Sequence, residues 1–598
     1  MVKKHKKKEK RKEQPSERTQ ELSYEHKAIE MARKHWEEQK KKAINDRRTF
    51  RGLQIIPTAS YYDESQGHKP GEKNWAGFGF DLHPQVSTIS GGLILLFIVL
   101  TLVFREQSGV FFQSLLNGIG DTFGWLYILA ANFFIIVMLL IAFSGFGKIR
   151  IGGPDALPEF STFSWFAMLL SAGMGIGLMF WSVAEPIFHY MTPSPMFSVL
   201  PETAQSAQSA LGLTYYHWGI HPWGIYALVG LSLAFFAFNR GLPLTIRSIF
   251  YPILGDKIYG FWGNVIDVLS VLATLFGLAT SLGLGVKQVS SGLHYLFGFP
   301  TTTGFAVLLI GIITLLALIS IATGLDKGVK NLSLANMYTA GLFMLFLLVM
   351  GPTVYILKAF TQNLGFYIQN LPQLSFWVET YFGAEGSHWQ NPWTVFYWGW
   401  WISWSPFVGM FIARISKGRT IREFILVVMV FPTLLSFLWM STFGGSALWL
   451  QITESADIAA AVNKDVSTAL FVMLESYPLA QITSFIAILL VTIFFITSSD
   501  SGSLVVDHLT SGGKLDSPVP QRVFWGLVQG ACAATLMLGG GLVALQSAAI
   551  ATGLPFTVVL LVMCYSLYRG LQEELYHATI IGKMQPETHK IEIPLDDV

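Results

Sequence analysis

Four tryptophans fall within seven residues of the stretch Phe396-Tyr397-Trp398-Gly399-Trp400-Trp401-Ile402-Ser403-Trp404. At about 100° per residue, Tyr397, Trp400 and Trp404 share one face of a helix, with Trp401 at its edge and Phe411 two turns further on. Indole faces are negative, so a wall of them suits a cation that cannot be hydrogen-bonded, above all a quaternary ammonium. The competing reading is an interfacial aromatic belt, where membrane tryptophans usually sit. A belt places its rings at a helix end, and these continue into the span through Trp404 and Phe411, which favours the cation box.

A second stretch, Ser171-Ala172-Gly173-Met174-Gly175-Ile176-Gly177, carries three alternating glycines in the middle of an apolar run. Each glycine costs a helix about 1 kcal/mol relative to alanine. Unwound backbone at bilayer depth is tolerated where it lines a cavity or a site. Small residues also allow close helix packing, but alternation, rather than spacing by four, favours unwinding. His217 and His221 have metal-binding spacing on a helix, yet no carboxylate is near them in sequence, so no metal is expected there. Glu185, Asp267 and Asp500 are intramembrane carboxylates, each a candidate for function, pairing or gating.

These residues are positioned by a polytopic membrane protein. The chain of 598 residues is 52% hydrophobic and 13% charged, with 14% aromatic residues and a mean hydropathy of +0.48. Soluble domains carry roughly 25% charged residues. The net charge of +2 conceals an uneven distribution. Residues 1–84 hold 20 Lys/Arg and 13 Asp/Glu, eight of the basic ones between Lys3 and Lys12. This reads as a solvated cytoplasmic tail. Thr19 to Asn45 could form a surface helix, and anionic lipid is a candidate partner for it. Cys532 and Cys564 both lie in apolar runs, so no disulfide framework is indicated.

Twelve runs could span about 30 Å of hydrocarbon. They lie near 86–104, 122–146, 162–184, 212–237, 260–290, 304–324, 334–357, 394–413, 424–446, 482–500, 523–547 and 551–568. Starting inside, the cytoplasmic loops between them hold 13 Lys/Arg and the external loops three, Arg105, Lys358 and Lys464. That asymmetry predicts both termini in the cytoplasm. The division is a tail over 1–84, a transporter domain over 85–570 and a second tail over 571–598. Aromatics between Ala359 and Gln390 could form an interfacial helix.

Gly173-Met-Gly-Ile-Gly-Leu-Met-Phe-Trp-Ser-Val-Ala-Glu-Pro186 resembles the signature of the betaine/carnitine/choline transporter family. So do the run from Trp398 through Trp404 to Glu423, and Thr497-Ser-Ser-Asp-Ser-Gly-Ser503. The resemblance covers roughly 85 to 570. It implies a leucine-transporter type fold, with spans 3–7 and 8–12 as inverted repeats, a homotrimer, and the helix between spans 7 and 8 at its centre. The two stretches above then begin the two repeats, the broken-helix arrangement of such transporters. The family's aromatic box would fall on Trp218, Trp223, Tyr226, Trp400, Trp401 and Trp404, with Phe411 lining the inward path and Gly173, Gly175 and Gly177 meeting a substrate carboxylate. Its second sodium site would use Thr497 and Ser498 hydroxyls and the carbonyls of Ser171, Met174 and Phe494. Its first sodium site pairs two threonines, where this chain has Thr274 and Leu278. Proton-coupled choline carriers have Asp where this chain has Gly177, which points to sodium coupling and a betaine-like substrate.

The resulting expectation is a sodium symporter of the plasma (inner) membrane that imports a quaternary-ammonium osmolyte, with glycine betaine first. Choline, carnitine or another onium solute with proton or antiport coupling is the nearest alternative. An ion channel or a non-transporting osmosensor is the alternative from another class. No cofactor besides the coupling ion and no nucleic-acid partner are expected. No nucleophile, base and oxyanion set can be assembled, which argues against an enzyme.

Overall fold

The computed structural model describes residues 69–173, 175–323, 326–382 and 389–584. The basic block, the surface helix expected over 19–45, Met174 and residues 585–598 lie outside them. Within the tail read as solvated, β1 (Trp75–Gly77) and β2 (Phe80–Leu82) form a small antiparallel hairpin. It is tied to the membrane portion by the Asp81 amide, which donates to Gln521 Oε1 at 2.7 Å, and by an ion pair from Lys514 to the Asp81 carboxylate. Burial would raise the Asp81 carboxyl, but the bonds from Lys514 and Asn74 hold it below its ordinary range.

Among the described residues the other long regular elements are helices. The long elements are α1 (Pro84–Val103), α2 (Arg105–Phe143), α3 (Thr162–Gly173), α4 (Ile176–Met191), α5 (Ala204–Trp218), α6 (Ile220–Ala234), α7 (Phe261–Phe297) and α8 (Thr303–Thr323). They continue as α9 (Asp326–Met350), α10 (Thr353–Phe376), α11 (Phe396–Ile415), α12 (Ile421–Ile452), α13 (Ala480–Thr510), α14 (Val519–Gly539) and α15 (Leu542–Met584). The chain is an all-α polytopic membrane protein.

Among the described residues, ten helical segments are long and apolar enough to cross a bilayer, with α5 and α6 counted as one bent segment. The twelve runs read from sequence differ from these ten at two places. The third run is divided into α3 and α4, of 12 and 16 residues, each short for a span. The eighth corresponds to α11, which has 20 residues but is diluted by Trp, Tyr, Ser and Gly, and so ranks low in hydropathy. Its residues from Phe396 to Pro406 are all buried. Protein, rather than lipid, surrounds it, and polar and amphipathic side chains are tolerated there. By contrast α1 exposes Leu93, Leu95 and Leu96.

α11 packs against α6, α7 and α15, and α13 against α7. Gly399 permits the approach to α15, since a Cβ there would stand 2.9 Å from the Ile550 Cα. α10 begins at Thr353, ahead of the loop where an interfacial helix was expected, and lies against α5 and α12. Asp267, one of the three intramembrane carboxylates, is paired with Arg247. Asp500 accepts from Ser320 Oγ at 3.2 Å. Both cysteines are free and buried.

Candidate substrate site

Between α3 and α4 the backbone leaves the helix, and Gly175 is extended (φ −164°, ψ −157°). One residue into α4, Gly177 lies beneath two indoles. A Cβ there would stand 2.7 Å from Trp400 Cη2 and 2.8 Å from Trp218 Cη2, so only a hydrogen fits. Trp218 ends α5, and Gly219 interrupts the helix (φ −94°, ψ −136°) before α6 resumes with Pro222 in its first turn. The amide of Ile220, freed by that interruption, donates to Tyr367 Oη on α10 at 3.3 Å.

The rings converge above Gly177. Trp400 and Trp401 stack at 4.6 Å and 15°, and Trp218 meets Trp401 edge-on at 4.9 Å. Trp218 lies 6.3 Å from Trp400 and 5.6 Å from Tyr397. Tyr226 closes the far side, 6.4 Å from Trp401 and 6.5 Å from Trp404. The space among Trp218, Trp400, Trp401 and Trp404, with Gly175, Gly177, Ser281 and Ser498 also on its walls, is about 10 Å³. That is at the lower limit for one water, so the box is shut and no onium headgroup fits without ring movement. Trp400 Nε1 donates to Ser281 Oγ at 3.1 Å, and Trp401 Nε1 to the His217 carbonyl at 3.1 Å. Trp404 Nε1 and Tyr226 Oη are buried without a hydrogen-bond partner among the described residues.

Behind the rings sits a polar cluster. Glu185 Oε1 is 2.6 Å from His217 Nδ1, while Oε2 accepts from Tyr397 Oη at 2.5 Å and from Trp218 Nε1 at 3.0 Å. His217 Nε2 reaches Thr394 Oγ1 at 3.0 Å. His221 instead contacts Asn132 Oδ1 at 3.0 Å, so the two histidines serve separate networks.

On the other side of the helix break, Phe494 and Gly175 line a second small cavity of about 70 Å³, and Ser498 borders the aromatic box. Thr497 Oγ1 donates to the carbonyls of Ile493 and Phe494 at 3.0 and 3.3 Å, leaving its lone pairs available to a cation. Ser171 and Gly173 belong to the last turn of α3. Thr274 donates to the Ser270 carbonyl at 2.7 Å, and Leu278 packs its side chain against Gly502 of α13. A larger cavity, about 390 Å³, lies elsewhere, beside Arg105, Lys287 and Asp465. It has no aromatic wall and is a poor host for an onium group.

Residues 85–576 match the model of BCCT, the betaine/carnitine/choline family transporters. A glycine betaine/proline/choline transporter of Vibrio parahaemolyticus is 48% identical over 513 residues, 83% of this chain and 91% of the relative. Glycine betaine transporter 1 of the same organism is 48% identical over 525 residues, 86% of this chain and 98% of the relative. A glycine betaine transporter of Bacillus subtilis is 50% identical over 462 residues, 77% and 89% of the two chains. The chain belongs to the betaine/carnitine/choline transporter family. It is a transporter and not an enzyme.

Within this family member, Trp218, Trp400, Trp401 and Trp404 share one small enclosure with Gly175 and Gly177. Tyr226 is at its edge, and Trp223 touches Tyr226 at 5.6 Å, one ring removed. Phe411 is half-buried further along α11 and makes no ring contact with the box. The sequence reading did not foresee the Gly219 interruption, the bond of Trp400 to Ser281, the pairing of His217 with Glu185 or the bond of Tyr397 to Glu185. The sole local signal was Gly219 followed by Pro222, a helix-breaking pair inside an apolar run.

Proposed function

We propose that this transporter imports glycine betaine together with sodium. The observation that carries the reading is the convergence of Trp218, Trp400 and Trp401 on Gly177, where only a hydrogen fits, in the first turn after the helix break at Gly175. Indole faces stabilise a trimethylammonium group, while amides freed by the break can meet a carboxylate about one residue's length away. The names of the Vibrio and Bacillus relatives support the substrate. Sodium coupling is supported by hydroxyls and carbonyls near the same break, at Thr497, Ser498 and Phe494, the hard oxygens sodium prefers.

The same proposal counts α3 with α4 and α11 as two further spans, giving twelve. Both termini are then cytoplasmic in the inner membrane, and two inverted repeats rock around the box. A homotrimer would be built around α10, whose apolar residues Val354, Leu357 and Ile368 are exposed. A broader range of solutes is a second reading, favoured by the relative named for glycine betaine, proline and choline.

The test is uptake of labelled glycine betaine, choline and proline into proteoliposomes under separately imposed sodium and proton gradients. Betaine accumulation driven by sodium alone is expected. Accumulation driven only by protons would remove the sodium assignment, and no betaine uptake under either gradient would remove the substrate.

A further inference from the structure

Glu185 is wholly buried; its Oε2 accepts from Trp218 Nε1 and Tyr397 Oη, and its Oε1 shares a proton with His217 Nδ1. Two donors on one carboxyl oxygen favour the ionised form. Among the described residues no lysine or arginine pairs with it. His189 Nε2 stands 3.6 Å from Oε1, and neither of its ring nitrogens has a hydrogen-bond partner. The side chains of Glu185, His189 and His217 are close enough together to suggest a metal site. However, His217 Nδ1 at 2.6 Å from Glu185 Oε1 is closer than two ligands of one ion, about 3.3 Å apart for bonds near 2.0 Å. A shared proton, not an ion, fills that gap.

The carboxylate is thus balanced by no lysine or arginine among the described residues, only by the two histidines beside Oε1, and it sits one indole away from the box. Trp218 gives its N–H to Glu185 and its ring to Trp401. Tyr397 gives its hydroxyl to Glu185 and stacks on Trp401 at 5.7 Å. An anion bonded to the N–H of an indole pushes electron density into the ring, and its own field reaches the box through a dry, weakly screening interior. A carboxylate entering the same space would be repelled.

We infer that Glu185 is the positioning and specificity-determining residue of the box. It holds Trp218 and Tyr397 in place and supplies the charge that makes their enclosure select the cationic end of the substrate. This rests on the onium reading proposed above. It assigns the orientation of the bound zwitterion, with the ammonium toward Glu185 and the carboxylate toward the Gly175 break.

The experiment compares glycine betaine with its uncharged-head isostere 3,3-dimethylbutanoate, in which carbon replaces nitrogen, as competitors for labelled betaine on the purified full-length protein. Wild type is expected to prefer betaine strongly. Glu185→Gln keeps the size and removes the charge, and should lower that preference roughly tenfold by weakening betaine alone. Glu185→Asp should retain the preference with weaker binding of both. Equal losses of betaine and isostere in Glu185→Gln would mean a merely structural role and overturn the inference, as would no change in either. If Glu185→Gln did not insert, Glu185→Asn against Glu185→Asp makes the same charge comparison at a shorter side chain. Equal ratios in those two variants would overturn it too. Failure of wild type to bind betaine would instead bring down the onium reading itself.

Discussion

At the Glu185 end of the aromatic box, His217, Trp218 and Tyr397 each make a hydrogen bond to one carboxylate, and Trp401 is bonded to the His217 carbonyl. At the Trp404 end the rings are equally buried, yet Trp404 Nε1 and Tyr226 Oη have no hydrogen-bond partner among the described residues. The first wall is held by directional, charge-assisted bonds and the second by packing alone. Rings held only by packing can turn without breaking a buried hydrogen bond, each of which costs about 1–3 kcal/mol to leave unmade. The difference predicts where the box yields: movement that admits substrate or releases it should begin at Trp404 and Tyr226.

The largest expected effect comes from wedging the box so that neither wall can close. Gly177→Ala puts a methyl against both Trp400 and Trp218, an overpacking of about 1–3 kcal/mol, and should lower uptake on the order of ten- to a hundredfold. Normal uptake would mean the two indoles separate freely, and the comparison would collapse. Next, Trp401→Leu removes a ring bonded to the rigid wall and should weaken betaine binding by about 1–2 kcal/mol, roughly five- to thirtyfold. Trp404→Leu should cost less, being a ring without that anchor. Titration of both variants by intrinsic fluorescence sharpens the contrast, and a reversed order would refute it.

Smaller again, Thr497→Ala combined with Ser498→Ala should raise the sodium needed for half-maximal uptake on the order of tenfold. Betaine affinity at saturating sodium should stay near wild type. An unchanged sodium requirement would place the ion elsewhere. The smallest difference concerns Leu278, whose side chain supplies no oxygen beside Thr274. Betaine is net neutral, so the charge moved per substrate counts ions, and the reversal potential should report one. Two charges per betaine would show that another oxygen has replaced the missing one.

Much of this architecture was legible because its signals are local. Alternating glycines weaken a helix wherever they stand, and the interruption between α3 and α4 falls inside that stretch. Clustered tryptophans mark α11 even though hydropathy alone passes over it. The Glu185 cluster was out of reach for the opposite reason. Glu185 and Tyr397 are 212 residues apart, and nothing in either neighbourhood names the other. The sequence offered Glu185 as a carboxylate at a helix end, equally suited to pairing, gating or function. Trp223 and Phe411 illustrate a different limit. Periodicity places a ring on a face, but the enclosure depends on how far each neighbouring helix leans, and here both rings stand outside the tightest contact.

The space of about 10 Å³ left between the closed rings also bears on what the protein does when it is not carrying anything. Protons cross a membrane along files of hydrogen-bonded water, and small ions travel with part of their hydration shell. An aromatic closure with room for at most one molecule interrupts any such file where the indoles meet. While those rings remain in contact, a chain of water cannot thread between them.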